Sequence, residues 1–477
     1  MDELVSIGLR DTEASWESTD PYLRDGFAPV HDECDASDLP VSGKLPAELA
    51  GVYVRNGPNP AFAPISYTWP FDGDGMLHAV YLESGRARYR NRYVATPGLA
   101  AERRAGRAIY GGVAKPFPVA PSLVGPGGDP GPLKNGAFIH VVGHGGRMYA
   151  MWEGGTVREI TRELETRGEW KPGMSAPFAV APHTKLDPAT GELFLINYAL
   201  LPPCVQLYVL GPAGGLRRRV DVKLPVATMM HDFVLTERYI VLFHFPLVLD
   251  PLAPAKREPF LQWRPELGTR IGLVARDDLA GGVRWIETDP FFAFHFANGF
   301  ERDGALVVDY VHRPEFVLSR NRQPRASAPA MRRLQIDLAA GTCRSDPISD
   351  AATEFPRINE SFATRASRWV YAPVRRGPAA ADGEAPVYRG IAKFDCENGN
   401  TMVFDLGGDE IGEAVFVPRA NASVEDDGWL MAYVYRPRER ASDFCVFDAR
   451  ALDAGPLASV RLPRRVPHGL HGNWFPA

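Results

Sequence analysis

HGGRMYAMWEGG, residues 144–155, is a polar glycine turn followed by a short apolar run, and this shape returns along the chain. It recurs as PATGELFLINYAL (188–200), LTERYIVLFHF (235–245), ERDGALVVDYV (301–311), ATRASRWVYAP (363–373) and EDDGWLMAYVYRP (425–437). Each unit is a turn leading into a β-rich run of strand length. The units follow one another at roughly 40 to 50 residues or somewhat more, the length of one propeller blade. The sequence therefore predicts an all-β propeller with insertions rather than a sandwich, although a generic multi-sheet β protein would carry the same recurrence.

The remaining composition agrees. Amphipathic helical patterns are scarce, and 43 prolines and 46 glycines punctuate turns. Residues 95–135, ending in KPFPVAPSLVGPGGDPGPLKN, interrupt the rhythm and predict a long loop or cap over one face. RRGPAAADGEAP, from Arg375, reads as a surface connection.

Several function classes drop out. With 53 basic and 58 acidic side chains the net charge is -5, and no long basic block is present, so a nucleic-acid partner is not expected. Five scattered cysteines (Cys34, Cys204, Cys343, Cys396, Cys445) form no C-x-x-C pair, which argues against a disulfide framework or thiolate metal site and favours a reducing compartment. The acidic start MDELVSIGLRDTEASWESTD lacks the features of a signal peptide. IVLFHFPLVL from Ile240, the longest apolar run, is broken by His244 and Pro246 and is about half the ~20 residues of a membrane span. No G-x-S-x-G, P-loop or H-E-x-x-H pattern occurs, and DGDG at Asp72 lacks calcium-loop residues at Met76 and Leu77.

Eleven histidines remain. His31, His140, His144 and His312 lie in polar or turn contexts and read as surface residues, while His78 and His244 read as hydrogen-bonded core. His183, His231, His295 and His471 each sit at the edge of a strand-like unit, at intervals of 48, 64 and 176 residues. On separate propeller units their rings would converge on the axis and make a metal site, although each alone is more often structural.

Seven blocks carry a further reading: GVYVRNGPNP, FDGDGMLH, HTKLDPATGEL, MMHDF, FHFANGFE, EFPRIN and HGLHGNWFP. In order, from Gly51 to Pro476, they resemble the signature blocks of the carotenoid cleavage oxygenase family. The resemblance implies one domain over 1–477, a seven-bladed β-propeller with a loop and helical cap, its insertions around 95–135 and 245–270. It implies a non-haem Fe(2+) held by His183, His231, His295 and His471, with O2 as co-substrate and no organic cofactor. It also implies three glutamates, Glu153, Glu354 and Glu413, hydrogen-bonded to ligand imidazoles, and excludes His468 as a ligand. Four neutral imidazoles leave the 2+ charge uncompensated, so nearby carboxylates would supply the missing charge and fix the ring tautomers. The glycines around His471 are expected to let the backbone turn into the axis, with Trp474 and Phe475 pinning the terminus.

Such enzymes cleave a conjugated carbon–carbon double bond to two carbonyl products. The phenolic stilbene and phenylpropene branch typically has a lysine before the first of these glutamates and a tyrosine in a YRNP block. This chain has Trp152 and GGVAKPFP at those places. An indole in place of a phenol-binding group favours a lipophilic carotenoid or apocarotenoid, in a pocket including Trp152, Phe138, Ile139 and Phe294. Ile139 also replaces a threonine that neighbours the metal in the family. Cleavage of a phenolic alkene is the alternative, and a non-catalytic propeller scaffold is the rival from another class. A cytoplasmic protein without an obligate protein partner is expected. Apolar residues of KPFPVAPSLVG and FPLVLDPLAPA either touch a membrane peripherally or pack on the propeller, a choice that Leu247 and Leu249 decide.

Overall fold

Strand patterning sets the architecture of the computed structural model, which describes residues 18–175, 177–256, 258–316, 328–377 and 385–477. Most of the acidic start and of the connection after Arg375 lies outside the described residues. RARYRNRY at Arg86–Tyr93 illustrates the pattern: Ala87, Tyr89, Asn91 and Tyr93 are buried while the alternate arginines face outward, as a period of two requires.

The strands form the sheets of a seven-bladed propeller. Blade 1 runs outward from Gly472–Pro476 through Gly51–Arg55, Met76–Glu83 and Arg86–Tyr93. Blades 2 to 5 start on the axis with His140–His144, Thr184–Leu186, Val234–Leu235 and Phe296–Arg302. Blade 6 contains Trp369–Val374, Gly390–Asp395 and Thr401–Asp405, and residues 353–357 bridge to its axial side. Blade 7 starts with Val415–Pro418 and is completed at its rim by Val41–Gly43.

The ring is thus closed twice by strands distant in sequence. Gly472–Pro476 pairs with Gly51–Arg55 in the register Arg55↔Gly472 to Gly51↔Pro476. Val41–Gly43 pairs with Pro456–Arg461. Apolar burial is divided into wedges between neighbouring blades. Val52, Leu77, Val141 and Phe475 fill the wedge between blades 1 and 2, and Tyr53, Tyr89, Trp429 and Phe444 that between blades 7 and 1.

Over one face lies an insertion that is more ordered than a Pro/Gly loop. Residues Pro97–Ala105 form a helix with Pro97 at its start, Thr96 Oγ1 accepting from the Leu99 N–H at 3.1 Å, and Gly106 in the left-handed conformation at its end. The ammonium of Lys134 ties this helix to blade 1, lying 2.5 Å from Glu102 and 2.7 Å from Asp74. The DGDG block is a tied turn, in which Asp72 accepts from the N–H groups of Thr68 and Val113. The second insertion contains a two-stranded ribbon, Leu247–Leu249 with Leu261–Trp263.

One expectation is corrected, one open alternative is resolved, and the role of one glycine is specified. His140 and His144 are buried, not at the surface. Leu247 and Leu249 pack with Phe243, Phe245 and Phe292 in the wedge between blades 4 and 5, so neither is available to a lipid surface; Leu252 is the exposed leucine of that segment. Gly472 does not have a positive φ; its requirement is close approach, since a Cβ there would lie 2.6 Å from the Val54 carbonyl oxygen. No helix among the described residues is long and apolar enough to cross a membrane.

Leu247→Ala is expected to remove about 2 to 5 kcal/mol of stability by leaving a core cavity. Denaturant unfolding should show the lower midpoint, and co-sedimentation with liposomes should not change.

Candidate metal centre

Each blade presents the first residues of its inner strand to the axis, and four of those positions are the widely spaced histidines. His183 precedes Thr184–Leu186, His231 stands three residues before Val234–Leu235, His295 precedes Phe296–Arg302, and His471 precedes Gly472–Pro476. All four are buried, and the structure brings them together with one ring nitrogen from each, all within 4.8 Å of one another. Nε2 of His183 lies 3.1 Å from Nε2 of His231, and Nε2 of His295 lies 3.1 Å from Nε2 of His471.

The far nitrogens explain that convergence. His295 Nδ1 donates to Glu354 Oε2 at 2.6 Å and His471 Nδ1 to Glu413 Oε1 at 2.8 Å; His231 Nδ1 donates to Glu153 Oε2. A carboxylate accepts only, so each of these rings carries its proton on Nδ1 and turns a lone pair inward from Nε2. Inward lone pairs at such separations repel unless a cation lies among them. Borderline nitrogen donors of this kind suit a divalent transition metal.

Each carboxylate is itself oriented. Glu153 Oε1 accepts from the Tyr198 hydroxyl at 2.7 Å. Glu354 Oε1 accepts from Nε and Nη2 of Arg313 at 3.1 and 2.7 Å, and its Oε2 also accepts from the Phe355 N–H. Glu413 Oε2 accepts from the Gly472 N–H at 2.8 Å, with Arg357 Nη1 3.4 Å from Oε1. Burial alone would raise the pKa of Glu354 and Glu413, yet His295 with Arg313, and Arg357 with His471, hold both well below the usual carboxylate range. Burial pushes the His183 imidazole well below its ordinary value and His471 down to about 4, which keeps both neutral and available as donors. Tyr198, Arg313 and Arg357 were not anticipated; Arg357 lies inside EFPRIN, and nothing local marks the other two.

Aromatic side chains surround the imidazoles. Phe294 stands edge-on to His231 at 5.5 Å between centroids, and Phe355 lies 5.3 Å from His295 and 5.4 Å from His471. Phe355 holds a φ of 56°, an uncommon conformation for a bulky residue, which lets its N–H reach the preceding carboxylate while its ring covers two imidazoles. Phe138 and Ile139 are buried with Leu470, against Trp69, Trp152 and Phe355. A small cavity of about 40 Å³ touches Phe138, Trp152, Phe71 and Lys134. A larger cavity, about 740 Å³, follows the axis instead: it touches His183, His295 and His471, and passes Lys185, Asn298 and Asn473 to the exposed Arg147.

The family model described as Retinal pigment epithelial membrane protein matches residues 27–476. A carotenoid cleavage oxygenase of Mycobacterium tuberculosis is 35% identical, over 96% of this chain and 98% of its own. The crystal structure of Pseudomonas brassicacearum lignostilbene dioxygenase superposes with a TM-score of 0.87 at 28% identity, covering 96% of this chain and 98% of the other. Cobalt-substituted Synechocystis apocarotenoid oxygenase gives a TM-score of 0.83 at 28% identity, covering 96% and 99%.

Glu413→Gln exchanges an ionised acceptor for a neutral amide beside His471 and Arg357. Affinity for Co(II) or Fe(II), read by titration of metal-free protein, is expected to fall about 10- to 100-fold.

Proposed function

The chain belongs to the retinal pigment epithelial membrane protein family, the carotenoid cleavage oxygenases, and from that membership we propose a non-haem Fe(II) dioxygenase that cleaves a conjugated double bond of a carotenoid or apocarotenoid. Family and relatives make it an oxidoreductase that incorporates O2. The observation that carries the metal assignment is the inward convergence of four Nε2 atoms, three from rings whose Nδ1 protons are committed to Glu153, Glu354 and Glu413. His183, His231, His295 and His471 would hold the ion, and Fe(II) bound there would supply the activation of dioxygen.

The chain's own residues perform the remaining tasks. Glu153, Glu354 and Glu413 hold the ring protons on Nδ1 and bring negative charge next to the centre without occupying a coordination position. Phe294 and Phe355 pack their rings against the imidazoles and shield part of the layer from water. The alkene loses its carbon–carbon double bond, and both atoms of dioxygen leave as carbonyl oxygens.

Substrate class follows from the apolar wall. Trp152 stands directly before Glu153 and packs edge-on to Phe138 at 6.2 Å, where a phenol-binding lysine would be needed for the other branch. Lys134, the ammonium near this wall, is already engaged by Asp74 and Glu102. A buried phenol would therefore leave its oxygen poorly matched, at a cost of about 1 to 3 kcal/mol, whereas a polyene brings no such demand. Likeness to the lignostilbene dioxygenase supports a second reading, cleavage of a phenolic alkene.

Incubating the iron-loaded enzyme with carotenoids, apocarotenals and phenolic stilbenes, and reading aldehydes by mass, separates these readings. Polyene-derived aldehydes are expected, with O2 consumed. Aromatic aldehydes alone would transfer the enzyme to the phenolic branch, and a folded protein that binds no iron would remove the proposal.

A further inference from the structure

A seventh axial position contributes a fifth imidazole. Residues at or near the start of the seven inner strands face the axis: His140, His183, His231, His295, Glu354, Glu413 and His471. Four of them make the proposed metal centre, two are carboxylates paired to it, and His140 remains.

His140 is buried beside the centre, its ring centroid 5.5 Å from that of His183 and 5.2 Å from that of His471. Its Nδ1 lies 3.0 Å from the Pro182 carbonyl oxygen, which only accepts, so the proton is on Nδ1. Its Nε2, 3.1 Å from Asn473 Nδ2, then accepts from that amide. Pro182 is the residue before His183, and Asn473 stands two residues after His471. The Asn473 side chain is held in turn by Arg357, whose Nη2 donates to Oδ1 at 2.8 Å. The ring therefore braces two segments that belong to different blades and that each carry one of the four imidazoles.

Carboxylates orient the other three rings, but among the described residues none is paired to His183. We propose that His140 is a positioning residue that, by bridging the Pro182 carbonyl and the Asn473 amide, sets the separation and tilt of His183 relative to His471. This rests on the reading of those histidines as metal ligands.

The test is a Co(II) titration of metal-free protein, followed through the ligand-field absorption of the bound ion. His140→Phe keeps a ring of similar size and loses both hydrogen bonds. Its Kd for Co(II) is expected to rise about 10- to 100-fold with an altered spectrum, as for other groups that orient ligands. His140→Gln, which can still donate to one partner and accept from the other, should recover most of both. A brace without influence on the centre would lower only the unfolding midpoint, so unchanged affinity and spectrum in His140→Phe would overturn the inference. Should that variant fail to fold, the half-exposed Asn473→Ala breaks the bridge from its other end, with the same rise expected and the same overturning result. Wild-type protein that takes up no cobalt would instead defeat the metal assignment itself.

Discussion

The site depends on closure of the ring by the last strand. Gly472–Pro476 forms the axial strand of blade 1 by pairing with Gly51–Arg55, and this pairing carries His471 to the other three imidazoles. Contacts so distant in sequence are entropically expensive to form and come late in the chain's own order. Three features stabilise the closure. Phe475 is buried in the wedge between blades 1 and 2, the Gly472 N–H is held by Glu413, and Arg357 donates to the Gly472 carbonyl at 3.2 Å. Any cation bound by four imidazoles adds to them, because ligand binding to the closed ring alone shifts the equilibrium toward it.

Burying that centre raises an electrostatic problem that the chain solves with arginine. Three carboxylates surround the imidazoles, and Glu354 and Glu413 are almost fully buried. An unpaired buried carboxylate would take up a proton and cease to be an ionised acceptor. Arg313 grips Glu354 with two N–H groups, and Arg357 serves Glu413, the Gly472 carbonyl and Asn473 at once. A planar guanidinium meets several acceptors in fixed directions, which a lysine ammonium cannot match. Glu153 is half-buried and is steadied by a neutral phenol, Tyr198, instead.

Much of this was legible in the sequence, and the failures share a cause. Turn-and-strand units pointed to a propeller because β patterning is local, and the resemblance supplied the seven blades. The four histidines lie at the edges of strand-like units, a suggestive signal only, and the family resemblance is what selects them as a set. His140 has a similar position; its apolar neighbours in FIHVVGH are a signal of burial that its grouping with the polar turn at His144 hides, and its ring contacts come from His183 and His471 arriving from other blades. Arg313 and Tyr198 are equally invisible, since their partners lie 41 and 45 residues away, one just past the end of a strand and the other inside one. Leu247 and Leu249 are ambiguous in the sequence, since a Pro-interrupted apolar run fits a lipid-facing loop as well as a packed one until its ribbon is folded against Phe243, Phe245 and Phe292.

The imidazole layer also divides the axis into two chemically different spaces. On one side Phe294, Trp152 and Phe138 present rings, and on the other the 740 Å³ cavity runs past Lys185, Asn298 and Asn473 to Arg147 at the surface. Lys185 is held there by Asp232 at 2.9 Å, and Asp232 also accepts from the Phe296 N–H, so the polar wall is tied to the strand that follows His295. A long apolar chain gains roughly 25 cal/mol for each Å² it removes from water against rings, and would lose part of that gain by stripping water from guanidinium, ammonium and amide groups. The two sides are therefore not interchangeable for a polyene. The propeller fixes the four imidazoles, and under the proposed reading the difference in polarity across them favours approach of a polyene from the aromatic side.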